Sequence, residues 1–141
     1  MTKLAKLIQL ERNRSRYYKI KKQHCLQQLF WECTLKCNLK CLHCGSDCRV
    51  DDIRPDMPFE DFERVIDEVS HIANPNDILV ITTGGEPLVR KDIVECGKRI
   101  SEKGFMWGMV SNGLLLTESK LNELIDAEAN STKVSVTDNK K

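Results

Sequence analysis

The stretch "DILVITTGGEPL", residues 77–88, decides how the rest of the chain is read. The unbroken apolar run from Ile78 to Ile81 predicts a strand covered on both faces, as in a parallel sheet, and it stops at a glycine pair. Helix-period patterns flank it. Before it, Phe59, Phe62, Val65, Ile66, Val69 and Ile72 recur at spacings of three and four behind Pro58, and "ANPND" (73–77) turns the chain. After it, "RKDIVECGKRISEKG" (90–104) puts Ile93, Cys96 or Gly97, and Ile100 on one helical face, with Gly104 as terminator.

The alternation extends outward. "CLQQLFWEC" (25–33) reads as an earlier strand and "FMWGMV" (105–110) as a later one, ending at "SNG" (111–113). Thr117 caps a further helix that buries Leu121, Leu124 and Ile125, and "KVSV" (133–136) supplies a fourth strand. Strand and helix alternating with short connections predict an α/β fold: a parallel sheet, right-handed crossovers and helices outside. Phe30, Trp31 and Trp107 are assigned to packing, and Cys25 and Cys96 to buried apolar thiols. At 141 residues and 40% hydrophobic content the chain has material for one core.

In such a sheet three unusual segments share one rim, at the carboxyl ends of the strands, where α/β folds build their sites. They are the cysteine tract after the first strand, "TGGEP" (83–87) after the second and "SNG" after the third. The tract, "CTLKCNLKCLHCGSDC" (33–48), holds five of the chain's seven cysteines. No apolar run is long enough for a membrane span and the start lacks the pattern of a secretory signal, so the expected compartment is the cytoplasm. Thiols stay reduced there, which turns the tract away from disulfides and toward metal or redox chemistry.

Cys41 and Cys44 form one C-x2-C pair without a second pair elsewhere. Cys33, Cys37 and Cys48 could complete a compact tetrahedral site, so zinc stays open. The spacing Cys37-x3-Cys41-x2-Cys44 offers a different arrangement: three thiolates on a four-iron cluster leave one iron free for an external ligand.

Residues 1–24 form a separate basic arm, with eight Lys and Arg against Glu11 alone, while the remainder is acidic. Two accounts stand: a surface carrying Tyr17 and Tyr18 toward nucleic acid or an acidic peptide, or a solvated helix with Leu4, Leu7 and Ile8 at helical spacing. The Arg-rich start also resembles a transit peptide. The chain is therefore divided into the arm, 1–24, and a core domain, 25–141.

"CNLKCLHC" (37–44), followed by "TGGEP" and then Asn112-Gly113, resembles the radical S-adenosylmethionine (radical SAM) superfamily, whose signature is C-x3-C-x-aromatic-C. The tract is most similar to that of the SPASM-type, peptide-modifying members. The resemblance implies the N-terminal part of a partial (β/α)6 TIM-like barrel, of which about three and a half β/α units can be traced, with a larger enzyme as the parent. It implies a [4Fe-4S] cluster on Cys37, Cys41 and Cys44, and S-adenosylmethionine on the open iron. His43 would lie near the adenine; Gly84, Gly85 and Glu86 would meet the methionine end, with Glu86 accepting from its ammonium group; Ser111 and Asn112 would add polar contacts. The implied activity is reductive cleavage of the cofactor to a 5′-deoxyadenosyl radical that abstracts hydrogen, with a peptide among the expected substrates and a flavodoxin or ferredoxin as reductant. Neither a membrane nor a nucleic-acid partner is expected on this reading. The segment "VSVTDNKK" (134–141) stands where the family carries a Ser-x-Asp-Gly-like motif. Two other readings remain: a zinc module whose basic arm contacts nucleic acid, and an iron-sulfur electron carrier without catalysis.

Overall fold

Four strands and four helices are laid out in a computed structural model in which residues 3–134 are described. In chain order they are α1 (Lys3–Gln23), β1 (Gln28–Thr34), α2 (Phe59–Ile72), β2 (Leu79–Gly84), α3 (Ile93–Glu102), β3 (Met106–Ser111), α4 (Glu118–Asp126) and β4 (Ala129–Val134). The strands form one sheet in the order β1-β2-β3-β4 with every pairing parallel, so all strand ends point to the same rim. β4 begins four residues before the expected "KVSV", whose last two residues, with 137–141 of the Ser-x-Asp-Gly-like segment, lie outside the described residues. Among the described residues no helix is long and apolar enough to cross a membrane.

The core lies between one sheet face and α2, α3 and α4. Trp31 of β1 stacks on Phe62 of α2 at 4.4 Å with near-parallel rings and meets Phe59 at 5.6 Å. Ile78 and Val80 are fully buried beside them. Trp107 of β3 is also fully buried; its indole N–H donates to the Ala127 carbonyl at 2.8 Å, and its ring presses on Gly97 of α3, where no side chain intrudes. As anticipated, Ile93, Cys96, Gly97 and Ile100 are buried, Gly104 ends the α3 segment at φ +84°, and the Thr117 hydroxyl accepts from the Lys120 N–H at the start of α4.

Several expected burials are corrected because the opposite face of the sheet is open. Phe30 is 60% exposed there, beside half-buried Leu79 and Ile81, so β2 is covered on one face only. On the helices the apolar stripes are wider than the contact they make. Val65 and Ile72 of α2 and Leu121 and Ile125 of α4 face outward, while Phe59, Phe62, Ile66 and Leu124 carry the packing. Cys25, assigned to the core, is exposed just before β1. Leu4, Leu7 and Ile8 are exposed on α1 together with its basic residues.

Arg90, in the β2–α3 connection, braces the base of the rim. Its guanidinium donates to the Cys33 carbonyl at 2.9 Å and the Met57 carbonyl at 2.7 Å, pairs with Asp92, and lies 5.0 Å from the centre of the Trp31 ring. It thereby fixes the end of β1 to the linker before α2, and its hydrogen bonds, reinforced by its charge, hold the Asp92 carboxyl below the usual carboxylate range.

Two outcomes follow for stability. Gly97→Ala forces a methyl group into the Trp107 ring and should cost about 1–3 kcal/mol in chemical denaturation; an unchanged midpoint would show that α3 shifts freely. Because the folded-state pKa of Asp92 is depressed, its contribution is present above the unfolded carboxyl pKa and lost as pH falls through the folded value. The loss of stability between neutral pH and about pH 3 should therefore shrink in Asp92→Asn, measured by urea melts at both pH values.

Candidate functional site

The cysteine tract becomes a loop because its ends are tied together by backbone. Arg49 N–H donates to the Leu35 carbonyl at 3.2 Å and Cys37 N–H to the Arg49 carbonyl at 3.1 Å, a bridge that pairs Lys36 with Arg49. Inside this neck, Leu39 N–H donates to Cys37 Sγ at 3.4 Å, Cys44 N–H to the Cys41 carbonyl at 3.3 Å, and Cys48 N–H to Cys44 Sγ at 3.4 Å. Amide donors aimed at sulfur favour thiolate. The N–H groups of Cys48 and Ser46 accordingly hold the exposed Cys44 thiol below its ordinary value.

The next rim segment is bonded to the loop's base. Gly85 N–H donates to the Thr34 carbonyl at 2.8 Å and Glu86 N–H to the Lys36 carbonyl at 2.9 Å. The glycine pair serves this approach: Gly84 sits at φ +111°, and a Cβ at position 84 or 85 would collide with the carbonyl of Thr34 or Lys36. The third segment joins through Glu86. Its carboxylate, fully buried, accepts from Leu88 N–H at 3.1 Å, Ser111 Oγ at 2.8 Å and Asn112 N–H at 2.7 Å. Asn112 then reaches back to the cysteine loop, its Nδ2 donating to Asn38 Oδ1 at 2.7 Å.

These ties enclose a cavity of about 190 Å³. The loop contributes Cys37, Cys41, His43, Cys44 and Cys48; β2 contributes Thr83, Gly84 and the following Gly85; β3 contributes Val110, Ser111 and the following Asn112. Of the residues named from sequence, Glu86 alone stands behind the wall, holding the segments that form it. Ser111 and Asn112 act in two ways, as cavity lining and as partners of Glu86. Sequence reasoning passed over Asn38 and Thr83, whose types carry no signal, and left Cys48 ambiguous.

The donor set is compatible with an iron-sulfur cluster. Among the described residues no three His, Cys, Asp or Glu side chains converge to hold one metal ion. Zinc needs them to: with Zn–S bonds of about 2.3 Å, tetrahedral thiolates sit within about 4 Å of one another. Four thiols line one cavity, and thiolates are the ordinary protein ligands of iron-sulfur clusters.

The remaining thiols differ in kind. Cys33 is fully buried, its Sγ donates to the Thr83 carbonyl at 3.4 Å, and burial pushes its pKa up to about 12; burial does the same for Cys96. Cys48 is pushed up to about 11, by burial first and then by the facing thiols of Cys44 and Cys37.

The Radical SAM superfamily model matches residues 31–139. A PqqA peptide cyclase of Bradyrhizobium diazoefficiens is 32% identical over 96 residues, 68% of this chain and 24% of that protein. An AdoMet-dependent heme synthase of Methanosarcina barkeri is 32% identical over 106 residues, 75% of this chain and 30% of that protein. Among solved structures, BtrN in an open conformation superposes with a TM-score of 0.67 at 18% identity, covering 82% of this chain and 52% of that one, which supports the partial-barrel architecture. The chain thus spans about a quarter to a third of the length of the curated relatives it matches.

Brief alkylation of the metal-free protein at about pH 8, read by peptide mass mapping, should modify Cys44 well before Cys33, Cys48 and Cys96. Equal labelling would mean that the loop does not hold the amide-to-sulfur bonds described.

Proposed function

Since the chain belongs to the radical SAM superfamily, we propose that Cys37, Cys41 and Cys44 ligate a [4Fe-4S] cluster and that S-adenosylmethionine binds beside it in the cavity at the sheet rim. The observation that carries this reading is the gathering of the three cysteines, the Gly84–Gly85 backbone and Asn112 around one space. When bound, cluster and cofactor together supply a 5′-deoxyadenosyl radical for hydrogen abstraction, chemistry that amino-acid side chains cannot perform.

The chain's own residues bind and orient. The Cys48 N–H stabilises the thiolate form of Cys44, and the amide N–H groups aimed at Cys37 and Cys44 tune the electron affinity of what these sulfurs ligate. His43 is exposed at the cavity mouth, suited to lie against an adenine ring. The glycine backbone presents polar groups to the cofactor's methionine end, while Glu86, with its three donors already in place, fixes where that backbone and Asn112 stand. Beside these three donors the Glu86 carboxylate keeps one acceptor position, on Oε2, for the cofactor's ammonium group.

The substrate face is the open side of the sheet, where Phe30, Leu79, Ile81 and Val110 border a space of about 350 Å³. A peptide substrate is the first reading, supported by the peptide cyclase relative; the heme synthase relative favours a tetrapyrrole as the second. A one-electron donor of the flavodoxin or ferredoxin type completes the set of partners, in a cytoplasmic setting.

Anaerobic reconstitution with iron and sulfide, followed by electron paramagnetic resonance of the reduced protein, tests the proposal. The expected result is a four-iron signal that changes on adding S-adenosylmethionine and is lost in Cys41→Ala. Zinc retention without a cluster would replace this reading with the structural one; a cluster indifferent to the cofactor would leave an electron carrier.

A further inference from the structure

We propose that Cys48 is a fourth thiolate ligand, closing the cluster's open iron until S-adenosylmethionine displaces it. The inference rests on the assignment of the cluster to Cys37, Cys41 and Cys44. Cys48 lines the same cavity as those three cysteines and is only 6% exposed. Its position is set by the loop's neck: the parallel bridge between Lys36 and Arg49 anchors both ends of the loop, and Cys37 and Cys48, one residue inside each anchor, line the same cavity. From there its N–H reaches Cys44 Sγ at 3.4 Å. Its own thiol contacts the Ser46 carbonyl at 3.8 Å and faces the thiols of Cys44 and Cys37, the side on which a shared cluster would be held.

The other candidates fit less well. Cys33 is turned toward the Thr83 carbonyl and does not line the cavity, Cys96 is buried in α3, and Cys25 is exposed before β1. Among the described residues no carboxylate lines the cavity, and His43 is the alternative nitrogen ligand on its wall.

The exchange balances without an oxidant. The iron–Cys48 sulfur bond would be replaced by bonds from iron to the cofactor's amino and carboxylate groups. The ammonium proton that must leave before nitrogen can bind passes, directly or through water, to the departing thiolate. No electron moves. Such a ligand would protect the cluster from losing its fourth iron while no cofactor is present, and would make opening of the site depend on cofactor binding.

The test uses the whole chain, reconstituted with 57Fe and freed of small thiols, compared as wild type, Cys48→Ala and His43→Ala. After mild oxidation without cofactor, the three-iron signal in electron paramagnetic resonance should be small in wild type and His43→Ala and several-fold larger in Cys48→Ala. Mössbauer spectra of the wild type should show four sulfur-ligated irons, one of which changes on adding S-adenosylmethionine. This second measurement decides the matter if Cys48→Ala fails to load a cluster. Equal three-iron signals in all three proteins, a selective rise in His43→Ala, or a distinct non-sulfur iron in cofactor-free wild type would overturn the role of Cys48 while leaving the three-cysteine cluster intact. Absence of any cluster in wild type would overturn both.

Discussion

The rim depends on one buried carboxylate. Glu86 receives hydrogen bonds from its own turn, from the end of β3 and from the loop beyond it, while its backbone N–H bonds the base of the cysteine loop. Removing a carboxylate from water costs several kcal/mol unless donors replace the solvent, and three well-directed donors do so here. The parallel sheet makes the arrangement feasible, because it brings the ends of β1, β2 and β3 to the same level. One side chain can then reach all three connections, and the cavity in front of it inherits a fixed shape.

A second fastening lies under the first. Arg90 ties Cys33 and Met57 through their carbonyls and rests on Trp31, whose ring is itself held by Phe59 and Phe62 of α2. Nearby, Thr34 Oγ1 donates to Asp56 at 2.8 Å, and Lys36 pairs with the same carboxylate. The linker that follows the cysteine loop is therefore anchored to the loop's own base at Thr34, Lys36 and Cys33. Core packing and rim geometry are linked through Trp31 and Arg90, so a cavity on one side of the sheet can disturb the site on the other.

The order of elements was legible because the apolar run Ile78–Ile81 and the helical spacings around it mark a strand between two helices. Which sheet face is covered was not: Phe30, Leu79 and Ile81 are as apolar as Trp31 and Val80, and apolarity does not say what lies opposite. For the same reason Val65, Ile72 and Ile125 extended their helical stripes beyond the contact made. The cysteines and glycines of the rim stood out through spacing and composition. The reason for the glycine pair did not, since it lies in carbonyls some fifty residues upstream, and neither did the partnership of Asn112 with Asn38, which only the folded chain brings together.

The neck between Lys36 and Arg49 has a consequence for how the loop can change. Because main-chain groups close it, the neck itself does not depend on the side chains between its ends, while Asn38 and Ser46 add side-chain ties from the loop to Asn112 and Glu32. The segment behaves as an interchangeable cassette. Exposed residues such as Leu42 can vary without altering strand register, and the rim can change while the scaffold beneath it stays the same.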